Sequence, residues 1–242
     1  MISNGSLGTS VQGRELSFKS IGYENAAVAV VVVGSIQGDQ TSTRDLVNAL
    51  INLYTQNPAK VLENTRITLI PSINPDGNAL GSRYNANSVD LNRNWNSSDW
   101  KSNAAVPGYP GGKPGSGGTQ PFSEPETKLL RNYLNNLKAD VSWLRVFILH
   151  SSVNVTSGQI YPGGNNALGL SGAYASATGY AIEGAWAAYV TSGEAVTWCE
   201  EQNILAIDVV IPASQGITTK VNGNRTLLDI TVDGLRNLVE YR

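Results

Sequence analysis

Residues 26–33 read AAVAVVVV, an uninterrupted apolar run that ends at the polar segment GSIQGDQ of residues 34–40. Valine is β-branched and suits an extended strand, and an apolar run without polar alternation is typical of a strand buried on both faces. Such strands occur in parallel sheets that helices cover on both sides. Because the run is far shorter than the roughly 20 apolar residues of a transmembrane helix, no membrane span is expected.

The sequence around this run alternates between strand and helix patterns. Helices are predicted over residues 43–54, from the SEPE helix start at residues 123–126 with Ser123 as its N-cap, over residues 173–190 and over residues 227–241. Strands are predicted over residues 15–21, as an edge strand, and over residues 66–70, 144–149 and 204–211. The alternation predicts an α/β fold: one domain over residues 1–242, with a mixed, mainly parallel sheet and helices on both faces.

The carboxyl ends of the predicted strands carry unusually polar segments. In sheets of this class, ligands bind in the crevice beyond those ends. Residues 71–121 form a long segment rich in Asn, Gly and Pro, and a loop of that length within a compact domain is usually functional. Four segments are therefore expected to form a site: SIQGDQ (residues 35–40), PSINPDG (71–77), DLNRNW (90–95) and LHSS (149–152).

Composition excludes several kinds of site. The 17 Lys and Arg residues are balanced by 19 Asp and Glu residues and form no run, so no nucleic-acid partner is expected. Cys199 and His150 are each the only residue of their type, which excludes an internal disulfide, a Cys-based zinc site and any site with two imidazoles from one chain. A charged content of 15% is low and favours an exported protein, without identifying the compartment.

Seven sequence features, taken in order, resemble the zinc carboxypeptidase family, the carboxypeptidase A-like exopeptidases. They are GTSVQGREL at residues 8–16, NPDG at 74–77, Arg83, DLNRNW at 90–95, FSEPET at 122–127, His150 after a strand, and a Tyr189-to-Trp198 segment. The resemblance covers the chain from about Gly8 to Arg242. It implies a carboxypeptidase A-like three-layer sandwich and the zinc-dependent removal of a C-terminal residue.

The resemblance also implies a zinc ion held by His, Glu and His, and this sequence departs from that set. The matching positions are Gln37, Gln40 and His150. A glutamine amide offers a neutral oxygen, whereas zinc prefers imidazole, thiolate and carboxylate groups. We therefore expect a weak or empty metal site and no zinc cofactor, unless the chain is a divergent hydrolase.

A second departure concerns the general base. The family places a Glu near the end of the late strand, and the matching position is Val210. Asp208 lies two residues earlier and therefore on the same face of the strand, where it is a weak candidate for a displaced base. Loss of a positioned base alone costs about 10²–10⁴ in rate.

The residues that hold substrate in the family are retained. By resemblance, Arg83 stabilises the developing oxyanion, Asn92 and Arg93 grip the terminal carboxylate, and Tyr189 closes over the ligand. A planar guanidinium suits this task because it donates two parallel hydrogen bonds to a carboxylate. The sequence does not decide which ligand side chain the specificity pocket prefers. An apolar floor at Val196 favours an uncharged side chain, whereas an inward Glu194 favours a basic group.

Two functional hypotheses follow from these departures. The first is a pseudo-peptidase, a binding module that captures peptide or amino-acid ligands with a free carboxylate through Arg83, Asn92, Arg93 and Tyr189. The alternative is a divergent metallocarboxypeptidase that hydrolyses a C-terminal peptide or amide bond, for example of cell-wall peptides, with an atypical metal site. Loss of three positions exceeds what one designed inactivation requires, which favours natural divergence.

Overall fold

A computed structural model describes residues 1–61, 63–104, 113–186 and 189–224. Its strands are β1 (Ile2–Thr9), β2 (Glu15–Gly22), β3 (Val28–Val33), β4 (Thr65–Ile70), β5 (Trp143–Ser152), β6 (Gln159–Pro162), β7 (Ala181–Ile182) and β8 (Leu205–Pro212). Its helices are α1 (Thr41–Gln56), α2 (Pro75–Leu80), α3 (Pro125–Asp140), α4 (Leu168–Thr178), α5 (Ala195–Glu201) and α6 (Ile217–Asn224). Short 3₁₀ turns cover Pro58–Lys60, Leu91–Arg93 and Asn165–Ala167.

The strands form one mixed sheet in the order β1-β2-β4-β3-β5-β8-β6-β7. Strand β3 pairs in parallel with β4 on one side and β5 on the other, and β5 pairs in parallel with β8. Every residue of β3 is buried, as the apolar run predicts. The carboxyl ends of these central strands therefore meet at one edge of the sheet, and the predicted α/β class is confirmed.

Helices cover both faces of the sheet, which gives the predicted three-layer sandwich. Alternating side chains of β3 point to opposite faces, so Val31 and Val33 belong to one core and Val30 and Val32 to the other. The first core contains apolar residues of α3 and α5, and the second contains residues of α1 and α4. In the part of the chain that the structure describes, no helix is long and apolar enough to cross a membrane.

Some of the sequence predictions about strands and helices differ from the structure. The predicted edge strand, residues 15–21, is an inner strand, because β1 pairs with its free side through backbone hydrogen bonds. The prediction missed β1 because Ile2–Thr9 is polar and small and lacks apolar alternation. The predicted helix over residues 227–241 lies outside the described residues.

The predicted helix over residues 173–190 is present only over residues 173–178, and its predicted extent is wrong. Helix α4 spans Leu168–Thr178 and ends at Gly179, whose φ of 73° is the left-handed conformation that glycine adopts at helix ends. The chain then continues into the short strand β7. The predicted N-cap is also displaced: α3 begins at Pro125 after Glu124, and the Ser123 hydroxyl donates to the Glu124 carboxylate instead of capping the helix.

Candidate ligand-binding site

A cavity of about 620 Å³ lies beyond the carboxyl ends of the central strands. Its lining includes every site residue that the sequence predicts, although these residues come from separate loops and strands. They are Gln37, Gln40, Arg83, Asn92, Arg93, His150, Tyr189, Asp208 and Val210. The cavity is also lined by Asp39, Tyr161, Trp186 and Thr191. Asp39 lies in the expected segment of residues 35–40 and Thr191 in the Tyr189-to-Trp198 segment, whereas Tyr161 and Trp186 lie outside every segment that the motifs selected.

The loop after β3 holds the two glutamines against the neighbouring helix α2. Asn74 caps α2 by accepting a hydrogen bond from Gly77 N (2.9 Å), and Asn78 Nδ2 donates to Gly38 O (2.7 Å). Gly38 lies so close to α2 that a Cβ atom there would approach the Gly77 carbonyl carbon to 2.3 Å. Only glycine therefore fits between Gln37 and Asp39, and the loop position is fixed.

The amides of Gln37 and Gln40 form hydrogen bonds within the protein. Gln40 Nε2 donates to Gln37 Oε1 (2.6 Å), and the Ser151 backbone N–H donates to Gln40 Oε1 (3.2 Å). Gln37 Nε2 lies 3.5 Å from Asp90 Oδ1, and in the opposite amide orientation the Gln37 oxygen accepts hydrogen bonds from Arg83. Either orientation leaves Gln37 bonded to its protein neighbours.

His150 is paired with Asp208 across two parallel strands. In the register of β5 and β8, His150 lies opposite Val210 and Ile148 lies opposite Asp208. The His150 Nε2 atom is 3.0 Å from Asp208 Oδ1, and both side chains are largely buried. The side chain at Val210, where the family resemblance places a general base, is buried and apolar and cannot transfer a proton.

These side chains do not fit the zinc ion that the resemblance implies. They supply one imidazole and two neutral amides, and each amide oxygen already accepts a hydrogen bond from the protein. Within the described ranges, no group of three or more His, Cys, Asp or Glu side chains could hold a metal ion. The absence of bound zinc itself remains a prediction.

The opposite end of the cavity is built by the 3₁₀ turn Leu91–Arg93. Asp90 begins this turn by accepting a hydrogen bond from Asn92 N (3.0 Å), and Asn92 Oδ1 accepts one from Ala195 N (3.0 Å) at the start of α5. Arg93 Nη1 donates to Asn92 O (2.6 Å) and to Glu194 Oε1 (3.0 Å). Asn92 Nδ2 and Arg93 Nε and Nη2 donate to none of the described residues.

Two buried ion pairs set the electrostatics of this end. Arg83 Nε donates to Asp90 Oδ2 (2.7 Å), and Arg93 pairs with Glu194. Burial alone would raise the pKa of Asp90, but Arg83 and Arg93 outweigh burial and hold this pKa below its ordinary value. Burial would lower the pKa of Arg93, but Glu194 and Asp90 outweigh it and raise this pKa, so Arg93 stays charged.

An aromatic wall closes one side of the cavity. The Trp186 ring contacts Tyr161 (centroids 5.6 Å apart) and Tyr189 (5.9 Å), and the Arg93 guanidinium carbon lies 6.0 Å from the Tyr189 centroid. Tyr161 lies opposite Asp208 in the pairing of β6 with β8. Burial raises the pKa of Tyr161 to about 12, with Glu183 and Asp208 adding to the rise, so its hydroxyl stays protonated at neutral pH.

Solved structures with the same architecture define the class of protein. Carboxypeptidase A of Helicoverpa armigera superposes with a TM-score of 0.75 at 18% identity, over 97% of this chain and 68% of that one. Murein-tripeptide amidase of Escherichia coli O157 gives a TM-score of 0.66 at 22% identity, over 91% and 90% of the two chains. The fold is therefore that of a carboxypeptidase A-like protein.

Sequence comparison identifies the family. The profile described as zinc carboxypeptidase matches residues 1–221, and the chain belongs to that family. Murein peptide amidase A of Vibrio campbellii is 36% identical over 107 residues, which are 44% of this chain and 40% of that protein. Carboxypeptidase SOL1 of Arabidopsis thaliana is 36% identical over 100 residues, which are 37% of this chain and 20% of that protein. The chain thus matches less than half the length of these two relatives.

Proposed function

We propose that this protein captures a peptide or amino-acid ligand by its free carboxylate and does not hydrolyse it by the family's zinc route. One observation carries the proposal: hydrogen bonding differs between the two ends of the cavity. At the end with Gln37 and Gln40, the amides bond to protein groups. At the other end, Asn92 and Arg93 keep donors that no described residue accepts. These donors are not among the buried polar atoms that lack a partner, and both residues line the cavity, so the donors are accessible to a ligand that supplies acceptors.

Each retained residue has a role in this capture. Arg93 Nε and Nη2 and Asn92 Nδ2 would donate to the two carboxylate oxygens, with the charge-assisted geometry that a guanidinium allows. Arg83, fixed by Asp90, lies between this end and Gln37 and would contact a carbonyl of the ligand. Tyr189, beside Arg93, would cover the bound carboxylate.

The alternative function is supported by a different observation, the names of the matched relatives. They include carboxypeptidases and murein peptide amidases, which are hydrolases by name. On this alternative, the chain hydrolyses a C-terminal peptide or amide bond with an atypical metal site at Gln37, Gln40 and His150. Asp208 would act as base, although its Oδ1 atom is paired with His150 in the structure.

Metal analysis and ligand titration separate the two functions. Protein purified without chelator is expected to hold far less than one zinc per chain. Acetyl-Ala-Ala and acetyl-Ala-Lys are the probes for calorimetry, with their C-terminal amides as ligand controls. Saturable binding of a free-carboxylate peptide, without turnover, supports capture; one zinc per chain together with release of the terminal residue establishes the hydrolase instead.

The Arg93→Ala variant tests the carboxylate grip. We expect at least a 100-fold loss of affinity, because a charge-assisted bidentate contact disappears. This variant leaves Glu194 buried without its partner, so Arg93→Met with Glu194→Gln serves as a second form that removes both charges. Arg131→Ala, on α3 and outside the cavity lining, is the matched control and should bind as the wild type does.

A further inference from the structure

The ionisable acidic and basic side chains that line the cavity are paired, with one exception. Those with an ion-pair partner form the pairs Arg83–Asp90 (2.7 Å), Arg93–Glu194 (3.0 Å) and His150–Asp208 (3.0 Å). Asp39 lines the same cavity and forms no ion pair within the described parts of the chain. A charged group of the ligand can therefore pair with Asp39 without displacing a protein partner.

The position of Asp39 is fixed by the loop that carries it. The preceding residue, Gly38, donates its backbone N–H to Arg83 O (3.2 Å) and accepts a hydrogen bond from Asn78 Nδ2 (2.7 Å). The Asp39 side chain is exposed, and no other residue of the described ranges donates a hydrogen bond to its carboxylate. The backbone therefore presents a free carboxylate at the cavity end that holds Gln37.

The electrostatics around Asp39 favour a cation. Burial raises the pKa of Asp39, the attraction of Arg83 opposes this rise without cancelling it, and the repulsion of Asp90 adds to it. Arg83 compensates Asp39 incompletely because its guanidinium already contacts Asp90. A cation beside Asp39 would stabilise the ionised carboxylate, since an opposite charge at close range favours the charged form.

We propose that Asp39 is a specificity-determining residue that binds an ammonium group of the ligand. The inference rests on the proposed capture function and names its ligand class: a carboxylate at Arg93 and Asn92, and an ammonium group at Asp39. These two anchors lie at opposite ends of the cavity, with Arg83 between them.

The separation of the anchors defines the kind of ligand. In a single amino acid, the α-ammonium group is bonded to the carbon that bears the carboxylate, so it cannot reach Asp39 while the carboxylate is at Arg93. The ligand is therefore a peptide of at least two residues. Its ammonium group is either the free amino terminus of a short peptide or the side chain of a residue that precedes the last one.

The test compares peptides that differ only in this ammonium group. One arm uses Ala-Ala, Ala-Ala-Ala and Ala-Ala-Ala-Ala, each with a free and with an acetylated amino terminus. The other arm compares acetyl-Lys-Ala with acetyl-norleucyl-Ala, which lacks the side-chain ammonium group. Calorimetry is run at pH 7, where an amino terminus with a pKa of about 7.7–8.0 is mostly protonated.

We expect the ammonium group to raise affinity about fivefold or more in one of the two arms, because a charge-assisted contact is added. A gain in the first arm identifies the amino terminus as the group at Asp39, and the length with the largest gain gives the length of the ligand. A gain in the second arm identifies a side-chain ammonium group instead. Either gain supports the inference if it depends on Asp39.

The Asp39→Asn variant tests that dependence. Asparagine keeps the size of the side chain and removes its charge, so the gain should fall to about twofold or less. Binding of the uncharged probe shows that the variant is folded. Asp140→Asn is the control, because it removes the same charge from an exposed residue at the end of α3, outside the cavity lining, and should leave the gain unchanged.

Two kinds of result would overturn the inference, and they are distinguishable. Equal affinity of the charged and uncharged probes in both arms, or a gain that persists in Asp39→Asn, refutes ammonium binding by Asp39 and leaves carboxylate capture in place. Failure of every free-carboxylate probe to bind refutes carboxylate capture and the inference together.

Discussion

The polar side chains at the two ends of the cavity differ in their hydrogen bonding. Around Gln37 and Gln40, each amide oxygen accepts a hydrogen bond from the protein, and His150 is paired with Asp208. Around Asn92 and Arg93, donors remain that no described residue accepts. The amides of the first end already have protein partners, whereas the donors of the second end are accessible from the cavity, so a ligand with acceptor oxygens gains most at the second end.

Both ends are supported by the same framework, so the difference resides in their side chains. Helix α2 contacts the glutamine loop through Asn78 and Gly38, and Asn74 Nδ2 donates to the Arg83 carbonyl oxygen (3.2 Å). Gly38 N in turn donates to the same Arg83 carbonyl (3.2 Å). Changes of side-chain chemistry at one end should therefore leave the other end in place.

The largest expected change is in zinc affinity, when the charged and basic side chains of the family replace the two glutamines. The double variant Gln37→His with Gln40→Glu supplies the His, Glu and His set together with His150. Zinc sites release about 10–16 kcal/mol over four ligands, so two restored ligands should raise zinc affinity about 1,000-fold or more. Metal content after dialysis against dilute zinc should increase from a trace to about one ion per chain.

Matched variants make this zinc experiment specific. Gln37→Asn with Gln40→Asn keeps two neutral amides and should stay free of zinc. Carboxylate affinity in the double variant should change little, because Arg93 and Asn92 are untouched. Stoichiometric zinc in the wild type would show instead that the two glutamines suffice as zinc ligands beside His150. The proposed difference between the two ends of the cavity would then be wrong.

The fold was predictable because its decisive signals are local. The apolar run of β3 and the helical spacing of α1 depend on neighbouring residues, and both elements are present. The end of α4 was missed because the Ala-rich pattern continues past Gly179, where the left-handed backbone stops the helix. Strand β1 was missed because backbone pairing, not side-chain pattern, holds it in the sheet.

The site was predictable only in part, for a related reason. Strand ends and the family resemblance selected nine residues that do line one cavity. The ion pair between Arg93 and Glu194 joins residues 101 positions apart, and no local pattern encodes it. Tyr161 likewise reaches the cavity only through the antiparallel pairing of β6 with β8.

A smaller effect is expected at the carboxylate end from Asn92→Asp. Aspartate keeps an oxygen that can accept the hydrogen bond from Ala195 N, so the start of α5 is preserved. It loses the Nδ2 donor and adds a negative charge, and affinity for acetyl-Ala-Lys should decrease about tenfold. Asn154→Asp adds the same charge at the exposed rim of the cavity and should decrease affinity far less. Equal losses of affinity in both variants would mean that general charge repulsion, and not the lost Nδ2 donor of Asn92, weakens binding.

The smallest effect on affinity is expected from a change in the shared framework. Asp76, in the first turn of α2, is fully buried and accepts hydrogen bonds from Ser10 Oγ (2.7 Å), Gln12 N (3.0 Å) and Arg14 Nη1 (2.7 Å). Burial would raise the pKa of Asp76, but the hydrogen bonds from Ser10 and Arg14 outweigh it and hold this pKa below its ordinary value of 3.8. The Asp76 carboxylate therefore stabilises the folded chain only while it is ionised.

Asp76→Asn should lower the free energy of unfolding by about 2 kcal/mol at pH 7, because an amide N–H then faces a backbone donor. Since the folded pKa lies below the unfolded one, the wild type has this advantage above pH 3.8 and loses it as the pH falls further. Urea unfolding at pH 7 and pH 3 should therefore give a difference between the two proteins that shrinks at pH 3. Asp45→Asn, at an exposed site on α1, should show no such change.

The affinity of Asp76→Asn for acetyl-Ala-Lys at pH 7 should stay within about twofold of the wild type. A larger loss of affinity would mean that the shared framework, and not the side chains alone, causes the difference between the two ends of the cavity.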